Sequence, residues 1–205
     1  MFNFLVYRKF KTRIWNNLKP QARLKLFQKM EKIISRKAGR PCFEIIPRKW
    51  DDLTNGLCVY KDRAIYINVN FFNTNSKQFF GLATLFHEQR HAEQFHIVAT
   101  SKKFNRFSKS YKWKKNMEGY ISYDGSEKFS YYSMQEVERD ANRFAIKKLK
   151  KMRFWFGRDD LYYQALKYKI KEYEVTKEIA KKELGFFYKI KLKMRENKQR
   201  KINKW

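Results

Sequence analysis

This chain of 205 residues has little of what staples or interrupts a small fold: 2 Cys, 3 Pro and 7 Gly. The two cysteines, Cys42 and Cys58, lack C-x-x-C spacing; they could sit on neighbouring strands, but free buried thiols in a reducing cytoplasm are the expectation. No apolar run approaches the length of a membrane span. The apolar N-terminal patch precedes its basic residues, the wrong order for a secretory signal. A cytoplasmic protein without an integral membrane span is therefore expected. Acid is scarce too, with 20 Asp and Glu against 48 Lys and Arg, a net charge of +28. Such a balance favours polyanions, nucleic acid among them, although a low-GC coding bias toward Lys produces the same composition. A phage or mobile-element setting would fit that bias. Histidine is the rarest polar residue that matters here, with 3 in the chain.

Two of those three lie in Leu85-Phe86-His87-Glu88-Gln89-Arg90-His91-Ala92, an H-E-x-x-H motif. Residues four apart share a helix face, so His87 and His91 can address one cation. Glu88, one step round, is placed to act as general base on a water held by that cation, the arrangement of a zinc hydrolase. The alternative, two solvent-facing histidines on a charged helix, sits poorly with the apolar run Phe79, Phe80, Leu82, Ala83, Leu85 and Phe86 just upstream.

The remaining pattern is mixed. Residues 14–37 read as helix, with Pro20 at a first turn or a break and Gly39-Arg40-Pro41 as its end. Residues 42–46 read as a strand stopped by Pro47, and residues 51–56 as a turn. Leu57 to Tyr60 and Ala64 to Val69 form a hairpin. Asn73-Thr74-Asn75-Ser76 offers N-caps for the metal helix. Residues 101–115 are basic and aromatic, and could track a nucleic-acid backbone; packing of their rings onto the domain is the favoured reading. A turn follows at 123–126. Ser133-Met134-Gln135-Glu136 has the form of a capping box opening a helix. From Tyr162 the chain is helical and basic, and residues 188–205 alternate between strand and tail patterns.

A three-ligand site needs one more donor. His96 is one residue off the position that a third His of an extended motif would take, and reads as a helix-end residue. Glu136 and Glu138 are the other candidates. The capping box gives Glu136 a structural task, whereas Glu138 shares a face with Ala141, Asn142 and Ala145, small enough for close helix approach. Glu138 is therefore favoured, with Asn142 able to bond a ligand histidine from behind. Tyr131, Tyr132 and Arg139 are candidate oxyanion stabilisers.

H-E-x-x-H followed by E-x-x-A-N-x-F-A resembles the gluzincin-type zincins, most of all the small ImmA/IrrE-like metallopeptidases, and more distantly the HtpX-like peptidases, which have Asp where Asn142 stands. The resemblance implies His87, His91 and Glu138 as zinc ligands, Glu88 as general base and Asn142 behind the ligands, acting on a protein or peptide substrate. It also implies an α+β, zincin-like (minigluzincin) domain over 1–155: an N-terminal helix, a small antiparallel sheet, the H-E-x-x-H helix and a third-ligand helix. In that scheme the Ala64 to Val69 strand is the edge that pairs with substrate. Residues 156–205 are left as a basic, mostly helical C-terminal extension.

Overall fold

The computed structural model describes residues 3–50, 54–102, 104–105, 107–121, 129–156, 159–185, 190 and 193–197. The turn expected at 123–126, part of that at 51–56 and most of the alternating stretch 188–205 lie outside the described residues. The fold is mixed α+β, mostly helical, with one three-stranded sheet.

Two short helices, α1 (Asn3–Arg8) and α2 (Thr12–Asn16), lead into α3 (Pro20–Ala38). Pro20 stands at the first turn, where its missing N–H costs nothing, and Gly39 closes the helix in the left-handed region at φ 64°. The strands are β1 (Glu44–Arg48), β2 (Gly56–Val59) and β3 (Ala64–Asn68), in the order β1-β3-β2. β2 and β3 form the antiparallel hairpin, but β1 runs parallel to β3, so the sheet is mixed rather than antiparallel. β3 is thus the central strand, not an edge, and Ile65 and Ile67 are fully buried along it. Pro47 does not stop β1, which continues to Arg48. On an edge strand one row of N–H groups faces outward, so a proline is tolerated there.

After α4 (Asn70–Asn73) comes the central helix α5 (Gln78–Thr100). No side chain caps its start: Lys77 is the N-cap, while Asn75 accepts from Arg23. α5 packs against α3, β2 and β3, and against α6 (Lys109–Glu118), α8 (Glu136–Phe156) and α9 (Asp160–Leu184). A buried carboxylate fixes its rotation. Arg40 donates to both oxygens of Glu31 on α3 at 2.6 and 2.9 Å, and Gln89 on α5 donates to the same carboxylate at 2.9 Å. Phe43 N–H completes the set at 2.9 Å.

α7 (Phe129–Ser133) precedes α8, and the expected capping box does not form. The Ser133 hydroxyl is engaged within its own helix, on the Phe129 carbonyl at 2.8 Å. Asn116 of α6 caps α8 instead, accepting from Val137 N–H at 3.0 Å. The described part of 101–115 contributes Trp113 to packing, buried with the Arg90 guanidinium 4.9 Å from its ring centre, while Phe107 is exposed.

The core does not break near residue 155. Phe156, Tyr162, Ala165 and Leu166 belong to the same apolar cluster as Phe79, and Phe79 meets Phe156 and Tyr162 edge-on at 4.9 and 5.5 Å. Asp159, beyond the expected boundary, accepts from Thr12 N–H at 3.0 Å. The first half of α9 is therefore part of the main core. Among the described residues, no helix is long and apolar enough to cross a membrane.

Candidate metal centre

α5 carries His87 and His91 one turn apart, and α8 lies across them with Glu138 in its first turn. The three donors converge. His87 Nε2 lies 3.0 Å from His91 Nε2 and 3.2 Å from Glu138 Oε2, and His91 Nε2 lies 3.4 Å from Glu138 Oε1. Among the described residues this is the group of His, Cys, Asp and Glu side chains whose ligand atoms could share an ion, all within 4.8 Å. Glu136 stands elsewhere, paired with Arg139. His96 is also outside the group.

The hydrogen bonds around His91 decide which atom it offers. Gln94 donates its amide hydrogens to the Val137 carbonyl at 3.1 Å and to Asp140 Oδ2 at 3.0 Å, so its oxygen faces His91 Nδ1 at 2.9 Å. The proton of a neutral His91 is therefore on Nδ1, and the Nε2 lone pair points at the cluster. The His91 Nε2 lone pair, His87 Nε2 and the Glu138 carboxylate then converge, a set that could hold a cation. Two histidines and one carboxylate at this convergence are a donor set that could hold a metal ion.

In the metal-free protein a proton serves instead. Burial opposes protonation of His91, but the charge and hydrogen bond of Glu138 outweigh it and raise its pKa to about 9. Burial likewise opposes ionisation of Glu138, yet His91 and His87 hold its carboxyl well below the usual value. Tyr120 donates to Glu138 Oε1 at 2.7 Å, fixing the carboxylate from the other side.

Glu88 is buried, and burial raises its pKa above the ordinary carboxylate value, partly offset by His87 and His91. Its side chain lines a cavity of about 240 Å³ with both histidines, Glu138, Tyr120 and Tyr132. β2 forms one wall, through Gly56, Leu57 and Cys58. A Cβ on Gly56 would lie 2.6 Å from Thr84 Cγ2 and 3.1 Å from Glu88 Oε1, so only glycine lets this strand reach the carboxylate.

Several expectations fall differently. Asn142 is half-buried and makes no hydrogen bond to a ligand histidine among the described residues; Gln94 occupies that role. Nothing along the chain marks Gln94 for this role, because the partners that turn its amide, Val137 and Asp140, are more than forty residues away. Of the oxyanion candidates, Tyr132 lines the cavity, Tyr131 packs beside Met134 and Ala180, and Arg139 pairs with Glu136. Arg90, inside the motif, turns away to bond Asp140 at 2.6 Å and Glu93 at 2.8 Å. Compared with family models, curated proteins and solved structures, the chain matches none.

Proposed function

We propose that the protein is a metal-dependent hydrolase, and more particularly a zinc peptidase of the zincin type. The observation that carries this reading is the convergence of His87 Nε2, His91 Nε2 and Glu138 beside a buried Glu88 whose proton affinity is raised. A purely structural metal site has no use for Glu88. Zinc, when bound, supplies Lewis-acid polarisation of a carbonyl and acidifies water. Glu88 accepts the proton of the attacking water and returns it to the leaving amine, a double task that suits a carboxylate with a raised pKa. Tyr132 is the hydroxyl placed to stabilise charge developing on the carbonyl oxygen. Tyr120 and Gln94 hold two of the ligands in place.

β2 is the strand to receive substrate. It is an edge of the sheet, no strand pairs with its outer side among the described residues, and it borders the cavity. An extended peptide would add to that edge through main-chain hydrogen bonds. Cys42 and Cys58 are unpaired, which accords with a cytoplasmic setting.

The test is zinc stoichiometry and peptide hydrolysis on wild type, Glu88→Gln and Glu138→Ala. The expected outcome is about one zinc in wild type and in Glu88→Gln, hydrolysis in wild type alone, and loss of zinc in Glu138→Ala. Full activity in Glu88→Gln, or no zinc after reconstitution of wild type, would overturn the reading.

A further inference from the structure

On the side of α8 turned away from Glu138, an open groove of about 550 Å³ runs between α8 and α9. Arg143, Lys147, Lys150 and Lys151 form its α8 wall, at spacings of four, three and one residues, so they follow one face of the helix. Ile146, Ile170 and Tyr173 line its interior and are half-buried, and Glu174 is the carboxylate on the α9 wall.

The α8 wall is largely unneutralised. Arg143 approaches Glu136 at 3.9 Å, while no ion pair joins Lys147, Lys150 or Lys151 to a carboxylate among the described residues. The neighbouring Lys148 shows the crowding: burial first, then the charges of Lys37 and Lys151, push its ammonium pKa down. A stretch of helix that holds like charges this close gains stability when an anion arrives. Beyond the groove's lining, Phe154 lies four residues past Lys150 on the same helix face and is 84% exposed.

We infer that the α8–α9 groove binds a single strand of nucleic acid, its phosphates along Arg143, Lys147, Lys150 and Lys151 and its bases against Tyr173 and Phe154. The dimensions agree. Arg143 to Lys151 spans about 12 Å of helix at its rise per residue, the length of roughly three or four stacked nucleotides. Aromatic faces beside a basic track are how proteins hold single strands without reading sequence. A membrane surface fits less well, because the apolar residues other than Phe154 are recessed in a concave groove rather than projecting from a flat face. The inference is independent of the peptidase reading. Because Glu138 faces the opposite side of α8, a strand in the groove leaves the metal centre open.

The experiment is fluorescence anisotropy of a labelled twelve-nucleotide oligo(dT) with the full chain, titrated between about 50 and about 200 mM salt. The groove variant is K147Q/K150Q/K151Q. The control is K25Q/K29Q/K32Q, which removes the same charge from exposed positions on α3. Tyr173→Leu is measured against both oligo(dT) and an abasic strand of equal length. The expected result is at least a tenfold loss for the groove variant, with a salt slope shallower by about 2, and a loss of less than threefold for the control. Tyr173→Leu should weaken oligo(dT) and spare the abasic strand. Equal losses from both triple variants, no binding at low salt, or binding confined to anionic phospholipid vesicles would overturn the inference. So would an equal effect of Tyr173→Leu on both strands.

Discussion

Gln94 accepts a hydrogen bond from His91 Nδ1 at 2.9 Å while its own amide is held by Asp140 and the Val137 carbonyl. Through this one side chain α8 fixes the tautomer of a ligand on α5, and Arg90 in turn holds Asp140 at 2.6 Å. Burial opposes ionisation of Asp140, but the Arg90 hydrogen bond and charge override it and keep the carboxyl below its ordinary pKa. The chain Arg90–Asp140–Gln94–His91 is therefore a charge-supported brace behind the metal centre.

Gln94→Leu removes the acceptor without removing a ligand. Zinc affinity is expected to fall by about tenfold to a hundredfold, the usual cost of losing a partner behind a ligating histidine. Competition with a chromophoric chelator measures it, and circular dichroism checks that α5 is retained. Wild-type affinity in the variant would show that the brace does not orient His91.

The pH dependence of the metal-free protein follows from the same cluster. The folded-state pKa of His91, about 9, exceeds its ordinary 6.5, so its contribution to stability is complete below 6.5 and is lost as pH rises through about 9. Glu138 is depressed instead. Its contribution is present above 4.5 and is lost only as pH falls through its lower folded value. Glu88 is raised by burial, so above 4.5 its ionisation costs stability, in the same direction as His91. With chelator present, the melting temperature should therefore decline between pH 6.5 and about 9. Zinc replaces the proton on His91, so the stabilisation it gives should grow across that window. Thermal melts with and without zinc check both, and a zinc-induced shift of equal size at the two ends would contradict the assignment.

Gly56→Ala tests the approach of β2 to α5. The new methyl would lie 2.6 Å from Thr84 Cγ2 and 3.0 Å from Glu88 Cγ. Overpacking of this kind costs about 1–3 kcal/mol, and here it also displaces the Glu88 carboxylate, the proposed general base. Lower stability and much reduced hydrolysis are expected, with zinc still bound. Thr84→Ser deletes the methyl that clashes first, so the double variant should regain part of the stability lost by Gly56→Ala. Denaturant midpoints of the four proteins settle the coupling; additive losses would mean that the contact is absent.

What the sequence made legible was local. The hairpin β2–β3 could be read from two apolar runs and a short polar loop, and the end of α3 from Gly39. The convergence of His87 and His91 follows from a spacing of four on one helix. The parallel partner of β3 left no such mark, because pairing of Glu44 with Ala64 is a relation across the sheet rather than along the chain. The preference for Glu138 over Glu136 rests on the small residues that share its face and on a capping box that does not form; Glu136 is engaged by Arg139, and Asn116 does the capping from another helix. Tyr162, Ala165 and Leu166 were hidden among lysines, since a stripe of three residues is too narrow to mark α9 as core. Asn142 and Gln94 illustrate the same limit. Gln94 reaches the ring from three residues along α5, but the partners on α8 that turn its oxygen toward His91, Val137 and Asp140, are not marked along the chain.

The carboxylate of Glu31 has a consequence for how the metal centre opens and closes. It grips Gln89, the residue next to Glu88, from the side of α5 opposite α8. Rotating α5 enough to carry His87 and His91 away from Glu138 would strip Gln89 from Glu31 and leave a buried carboxylate with one partner fewer. Opening of the site is thereby coupled to opening of the core, and the low-energy local fluctuations that fray loops do not reach it. A metal bound at this cluster would then have to exchange with a proton at His91 on a helix that stays folded, which would tie occupancy to acidity rather than to refolding.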